Sequence, residues 1–510
     1  RGFDRLYDLF ARAPWLGSLI NPRAAGGDLI EQGFADLEPL LTQVMTEADS
    51  ADVSEMAVAA RGLAKAGEIL AIRFTLVATN VPYLKRGKQE EPLQDHCDQF
   101  HNDAKGNLAC TFVDRCLGCV APGGVIAVVT INELLFLGGY KALRRRLLTD
   151  NLWRFVARLG PGAFEGISGE VVNVSLLCVG EQRTRESVFS AWDVNFLDSP
   201  SAKSAALRSQ DLVLIDQASQ LLNPDARIVI GQLGLQHRLL SDFAVPGKGS
   251  TTGDTPHYHR NFWELPQLHP DAVPWLDSPI SGELWSGRET ISIVPVDDAG
   301  LLAENGARIH GQEVWGRAGV AVSKTSNLRA YLYAGEVFDD NVGVLCPRDP
   351  LLIPAILTYC ESPEYAEDIR AIDQALKVTA ATLAKVPFDL ERWMAAASMR
   401  YPDGIPKPRY DDPTQWLFAG HPKDCIAPLQ VAVARLVAYR WPRQTGSSFP
   451  DCSALGPDGL EKYADRDGIV TVSPVKGEQP AAARLTGLLA DAFGTDWSAA
   501  KLDTLLAQVG

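Results

Sequence analysis

Apolar residues change their period several times along this chain, and each change predicts an element. Val53, Met56, Ala60 and Leu63 recur at helical spacing on one face of a segment leading towards residue 74. There the period shortens: Phe74 to Ala78 is a strand-like run, ended abruptly by Thr79-Asn80-Val81-Pro82-Tyr83. After a polar loop, Leu108 to Val120 reads as an apolar helix stopped by Pro122-Gly123-Gly124, and Val125 to Thr130 as a second, fully buried strand. A helix from about Tyr140 to Leu148 leads to "LWRFVARL" and "EVVNVSLLCV", two strand-like segments joined by "GPGAFEGISG". Strand, helix, strand, helix and hairpin predict the second half of a mostly parallel α/β sheet with an antiparallel edge.

From about residue 186 this rhythm fades. "VPGKGSTTGDTPHYHRNFWEL" opens a region of short mixed elements lasting to about 395. Gly247-Lys248-Gly249-Ser250 lacks the six-residue frame of a phosphate-binding P-loop and is not read as one. The last hundred residues are mainly helical, with Ile426, Leu429, Val433, Leu436 and Val437 predicted to share the buried face of a helix that has Pro428 in its first turn. The chain shows no internal repeats.

Composition narrows the class. The 510 residues suggest two to four domains, and 46% hydrophobic with 22% charged residues is ordinary for a globular protein. No run of ~18 apolar residues could span a bilayer and no signal-peptide layout opens the chain, so the cytoplasm is the expected location. Nine cysteines argue against a disulfide framework. Cys116 and Cys119 form a lone CxxC in an apolar stretch and read as buried thiols; His96, Cys97 and His101 have no fourth ligand, so no metal is expected. The net charge of −15 excludes a generally basic nucleic-acid-binding protein, but not one with basic residues concentrated locally. Lys85, Arg86 and Lys88 form one such cluster; Arg144 to Arg146, in "YKALRRRLL", read as a solvated helix face.

The strand end at Asn80 carries the chemistry. Ligands of open α/β sheets bind at the carboxyl ends of the strands. An exocyclic amino group on adenine is a poor nucleophile while its lone pair is delocalised into the ring. Two acceptors around its N–H bonds, the Asn80 side-chain oxygen and the Val81 carbonyl, would draw the nitrogen towards tetrahedral geometry. Those bonds strengthen as charge develops, so they favour the transition state over the ground state. Tyr83 offers a flat face for the base, and Pro82 stiffens the turn. The motif suits methyl transfer to an amino or amide nitrogen.

At these residues the sequence resembles the adenine-specific amino-methyltransferases of DNA, which carry Asn/Asp-Pro-Pro-Tyr/Phe here, and in particular the long single-chain members of restriction–modification and BREX-like phage-defence systems. "LACTFVDRCLGCVAPGGVIAVVTINELLF" and "YKALRRRLL" resemble the family's following helix, strand and helix, and "FVARLGPGAFEGISGEVVNVSLLCVG" its terminal hairpin. "STTGDTPHYHRNFWEL" is similar to the start of the target-recognition region, and the run from Trp315 to Asp349 to the recognition domains of restriction specificity subunits.

The resemblance implies a partial Rossmann-like S-adenosylmethionine-dependent methyltransferase sheet, a mixed α+β target-recognition domain and a helical C-terminal region. It divides the chain into the C-terminal part of a catalytic domain (1–185), a connector (186–240), a DNA target-recognition domain (241–395) and a helical extension (396–510). It implies catalytic roles for Asn80, Val81, Pro82 and Tyr83, and a double-stranded DNA partner whose flipped adenine stacks between Tyr83 and Phe164. Phosphate contacts are expected from Lys85, Arg86 and Lys88, and base reading from His257, His259, Arg260, Lys324 and Arg329. Other defence-system subunits are further expected partners.

Two departures stand out. Val81 replaces the usual proline, but it keeps the carbonyl and, before Pro82, favours extended backbone. The glycine-rich loop that should hold S-adenosylmethionine is not found upstream of Asn80; "NPRAAGGDLIE" lacks a preceding buried strand. The chain opens on Arg1 in mid-pattern, so the expectation is a downstream part of a longer protein, inactive as this fragment. The alternatives are a non-catalytic DNA-recognition module, or a methyltransferase acting on RNA or on a protein glutamine.

Overall fold

The computed structural model describes residues 7–25, 43, 51–164, 173–181, 187–231, 238–265, 272–278, 283–293, 296, 306–325, 327–448 and 452–508. The chain divides into two compact units, one of residues 1–233 with 371–373 and one of 234–370 with 374–510.

The first unit is built on six strands: β1 (Phe74–Asn80), β2 (Val120–Ile131), β3 (Leu152–Gly160), β4 (Val174–Gly180), β5 (Val188–Asp193) and β6 (Val213–Asp216), in the order β1-β2-β4-β3-β5-β6. β1 and β2 are parallel, β4 is antiparallel to both β2 and β3, and β3 and β5 are parallel. The expected α/β sheet with an antiparallel hairpin is thus present. The connector expected at 186–240 differs: β5 and β6 belong to this sheet.

Among the described residues, α1 (Ala51–Ala71), α2 (Glu91–Phe100), α3 (Leu108–Leu117) and α4 (Lys141–Asp150) precede or connect the earlier strands, and a helix at Pro200–Ser209 joins β5 to β6. Helix α3 stops earlier than expected, at Gly118, and Pro122-Gly123-Gly124 lies inside β2 as an irregularity of the β1–β2 register. Glycine is required there, because a Cβ on Gly124 would approach the carbonyls of Phe74 and Ala121 to 2.9 Å. In α1 the small residues Ala57, Ala64 and Ala71 are buried while Met56 and Leu63 are exposed, the reverse of the expected face. Much of the segment before α1, including Gly26 and Gly27, lies outside the described residues.

A second correction concerns α4. Arg144 is fully buried and donates to the carbonyls of Leu134, Leu137, Asp225 and Ala226 at 2.7–3.2 Å. Arg146 pairs with Asp103 and Asp114. Only Arg145 keeps the solvated position expected of this cluster. Full hydrogen bonding is what lets a guanidinium lie inside a fold.

The second unit holds two four-stranded sheets. One, in the order β12-β11-β14-β7, consists of β7 (Ala244–Lys248), β11 (Gly319–Ser323), β12 (Ala330–Tyr333) and β14 (Val342–Pro347). The other, β13-β9-β10-β8, uses β8 (His259–Asn261), β9 (Val273–Leu276), β10 (Thr290–Ser292) and β13 (Val337–Phe338). Phe262 and Ile291 share a core cluster with Trp416, Leu417, Phe418, Val431 and Trp441, so packing crosses the boundary expected at 395. Helix α5 (Pro428–Leu436) forms where expected, but buries Pro428, Val431, Ala432, Arg435 and Leu436; Ile426, Val433 and Val437 are exposed. Arg435 explains the rotation: it is held inside by Asp458 at 2.7 and 2.8 Å and by the Gly420 carbonyl.

Candidate functional site

Asn80 is the last residue of β1 and lies opposite Val129 of β2. The cross-strand register continues through Leu176 of β4 to Ala157 of β3. β1, β2 and β3 point the same way, so Asn80, the turn after Ile131 and the loop after Gly160 leave from one end of the sheet. That is the end at which α/β sheets bind ligands.

Val81 anchors the turn: it is 2% exposed and donates its N–H to the Val129 carbonyl at 3.3 Å. Asn80 and Pro82 are exposed, and Tyr83 is half-buried. The Tyr83 hydroxyl donates to Asn80 Oδ1 at 3.0 Å and reaches the Val129 carbonyl at 3.5 Å. Burial raises the Tyr83 pKa, which keeps the hydroxyl a donor. A carboxamide oxygen has two lone pairs, so one acceptor site of Asn80 stays available while the other fixes its orientation.

The residues after the motif are tied to the start of α3. Asn107 Oδ1 accepts from the Leu84 N–H at 3.2 Å and from the Ala109 N–H at 3.0 Å, capping the helix. The Leu108 N–H returns to the Leu84 carbonyl at 2.9 Å, and Lys85 bridges to Asn107. On the β2 side, Asn132 Oδ1 accepts from Ser175 Oγ at 2.7 Å. Glu133 follows; its Oε2 is buried with no hydrogen-bond partner among the described residues, and burial raises its pKa against the opposing influence of Lys85.

Sequence reasoning passed over Glu133 and Asn107. The signal for Glu133 was readable: a polar pair, Asn132-Glu133, directly follows the second buried parallel strand.

Of the other expected residues, Phe164 is half-buried in the loop leaving β3 at the same end as Asn80, and among the described residues no ring contact joins it to Tyr83. Lys85 and Lys88 are exposed. Arg86 is engaged by Asp98 at 2.6 Å and is not a free cation.

In the second unit, His257 and Arg329 are exposed. His259 packs on Trp275 with ring centroids 4.5 Å apart, and burial lowers its pKa. The Arg260 guanidinium donates to the Pro256 and His259 carbonyls, both at 2.6 Å. Lys324 has a side chain only 5% exposed and pairs with Asp340. His259, Arg260 and Lys324 thus hold the local structure together rather than standing free to read bases. The free thiol Cys116 is buried, with its pKa pushed up to about 12.

Comparison with known proteins covers both units. Residues 45–220 match the family described as N-6 DNA Methylase. The adenine-specific methyltransferase PglX of Lacticaseibacillus casei (strain Zhang) is 30% identical over 148 residues, 29% of this chain and 12% of that protein. The adenine-specific methyltransferase BrxX of Escherichia coli O9:H4 (strain HS) is 25% identical over 425 residues, 75% of this chain and 33% of that protein. The chain therefore matches a third or less of the length of these relatives. A solved structure of a nuclease-deletion mutant of the Type ISP restriction-modification enzyme LlaGI, in complex with a DNA substrate mimic, is similar with TM-score 0.46 and 11% identity, over 73% of this chain and 38% of that one. The segment that matches the N-6 DNA Methylase family spans the strand-end motif and the six described strands of its sheet.

Proposed function

We propose that this chain is part of an enzyme that methylates the exocyclic amino group of adenine in a specific DNA sequence, in restriction–modification or phage defence. The observation that carries this reading is the Asn80 carboxamide at the carboxyl end of a parallel strand, oriented by the Tyr83 hydroxyl at 3.0 Å. The free lone pair of Asn80 Oδ1 and the Val81 carbonyl accept the two N–H bonds of the amine. The nitrogen lone pair is then less available to the ring and more available for attack. Both acceptors stabilise the positive nitrogen that follows, which releases a proton once its new bond has formed. Because an amino group inside a duplex is out of reach, the adenine is flipped and stacked against Tyr83, with Phe164 on its other face.

The family implies S-adenosylmethionine as the source of an electrophilic methyl group. The described residues do not form a complete pocket for it: no glycine-rich strand-to-helix loop precedes β1 among them, and β1 pairs only with β2. We propose that further strands cover the free edge of β1 and carry that pocket, and that the described residues alone do not transfer a methyl group.

Asn80→Ala in the polypeptide its gene encodes tests the assignment. Turnover should fall by ~100-fold or more while DNA binding persists, because the lost acceptor acts mainly in the transition state. Wild-type methylation rates in the variant would remove Asn80 from the mechanism.

A further inference from the structure

Two lysines of the second unit share one carboxylate, and a third lies close by. Lys248 ends β7, Lys324 directly follows β11, and Lys377 precedes the short helix Ala380–Leu383. Asp340 Oδ1 accepts from Lys324 Nζ at 3.3 Å, and its Oδ2 from Lys377 Nζ at 2.7 Å. Lys248 is exposed and lies opposite Gly343 of β14, close enough to act electrostatically on Lys324.

Backbone bonds fix this arrangement. The Lys324 N–H donates to the Asn341 carbonyl at 2.8 Å, and its carbonyl accepts from Val378 at 3.0 Å. Thr325 bridges to Lys377, and Ser250 to Asp339. Gly249 lets the chain pass: a Cβ there would collide with the Asp339 carbonyl. The Asp339 carboxylate is occupied by the Asn341 N–H at 2.7 Å.

The charges do not balance. Two ammonium groups share the Asp340 carboxylate and a third, on Lys248 opposite Gly343 of β14, lies near them, in a chain whose net charge is −15. The Lys324 side chain is 5% exposed, yet its ammonium, with three donors, has a single side-chain partner at long range among the described residues. Burial and the two other lysines lower its pKa, against the pull of Asp340. A buried ammonium with unspent donors and repelling neighbours is stabilised by an additional anion.

We propose that Lys248, Lys324 and Lys377 form a binding site for a phosphodiester group of DNA, with Asp340 holding Lys324 and Lys377 in place when no phosphate is bound. This rests on the DNA reading of the proposed function and deepens it: Lys324 contacts backbone phosphate, not a base edge. The site is not a P-loop, since its cations come from three separated segments and not from a helix N-terminus. Lysine acts on phosphate as a point charge, so the contact adds affinity without sequence preference.

The test is the salt dependence of binding of the full gene product to a mixed-sequence duplex, read by fluorescence anisotropy over a potassium chloride series. Lys248→Gln with Lys377→Gln, both at exposed positions, should flatten the slope of log K against log salt by about 0.9 for the phosphate lost. Asp340→Asn removes the anion competing with phosphate and should tighten binding. If the lysine variant keeps the wild-type slope, or Asp340→Asn weakens binding, the site is structural and the proposal falls alone. If the wild-type protein does not bind duplex DNA, the DNA reading and this site fall together.

Discussion

β1 and β14 are both apolar strands, yet they end up in opposite surroundings. All six residues of β14 are buried, and it has β11 on one side and β7 on the other. Among the described residues β1 pairs with β2 alone; Phe74 is 37% and Leu76 55% exposed. Before it in the chain, α1 exposes Met56, Leu63 and Ile69, and Ile72 follows them on the surface. Long apolar parallel edges are what folded proteins avoid, because parallel strands are normally covered on both faces and an open edge invites pairing. The strand bearing Asn80 therefore has the composition of a central strand in the position of an edge strand. β14 is an interior strand of its sheet, whereas β1, like β6 at the opposite side, is an edge of its own sheet among the described residues.

The largest expected effect tests whether that open edge is where the methyl donor's pocket is completed. Residues 1–510 alone should show no S-adenosylmethionine binding by calorimetry, while the complete gene product binds it. Clear binding by residues 1–510 would move the pocket into this chain, with the Gly26-Gly27 segment the first place to look.

The next effect compares the strands directly. Val344→Ala in β14 removes fully buried methyl groups and should destabilise its unit by about 2 kcal/mol. Leu76→Ala in β1 should change the stability of this chain by less than about 0.5 kcal/mol, since the side chain is mostly in water already. Denaturant midpoints for the two variants measure this. A large loss from Leu76→Ala in this chain would mean that the edge of β1 is already covered.

How legible all this was depended on whether a residue's surroundings came from its own segment. The order of strands and helices from 74 to 180 could be read from local periodicity, and the position of Asn80 followed from the strand end. Arg144 could not: its partners include carbonyls of residues 225 and 226, about eighty positions away, so a local pattern showed only a basic helix. Lys324 looked like a loop lysine until β14 and the segment at 377 closed around it. The exposed faces of α1 and β1 were misread for the opposite reason: their periodicity predicts burial against something, and that partner is not among the described residues. Helix α5 was rotated by Arg435, whose carboxylate partner Asp458 lies 23 residues on.

The smallest effect distinguishes the two units by pH. His96 on α2 packs against Phe100 and His101 with ring centroids 4.9 and 5.7 Å away, and its Nε2 is buried with no hydrogen-bond partner among the described residues. Burial, followed by the charges of His101 and Arg115, pushes its pKa down from 6.5 to about 4. Between those two values the unfolded chain takes up a proton that the folded chain refuses. The stability of the first unit should therefore be complete above pH 6.5 and fall as the pH is lowered towards about 4. His259 in the second unit is shifted in the same direction by burial, with Asp339 opposing, so that unit should show its own acid slope. His96→Phe should make the slope of the first unit in this window shallower and leave that of the second unchanged. Denaturant midpoints at pH 7 and pH 5, followed by hydrogen exchange in each unit, would separate them. An unchanged slope for the first unit in the variant would mean that its acid sensitivity comes from groups other than His96.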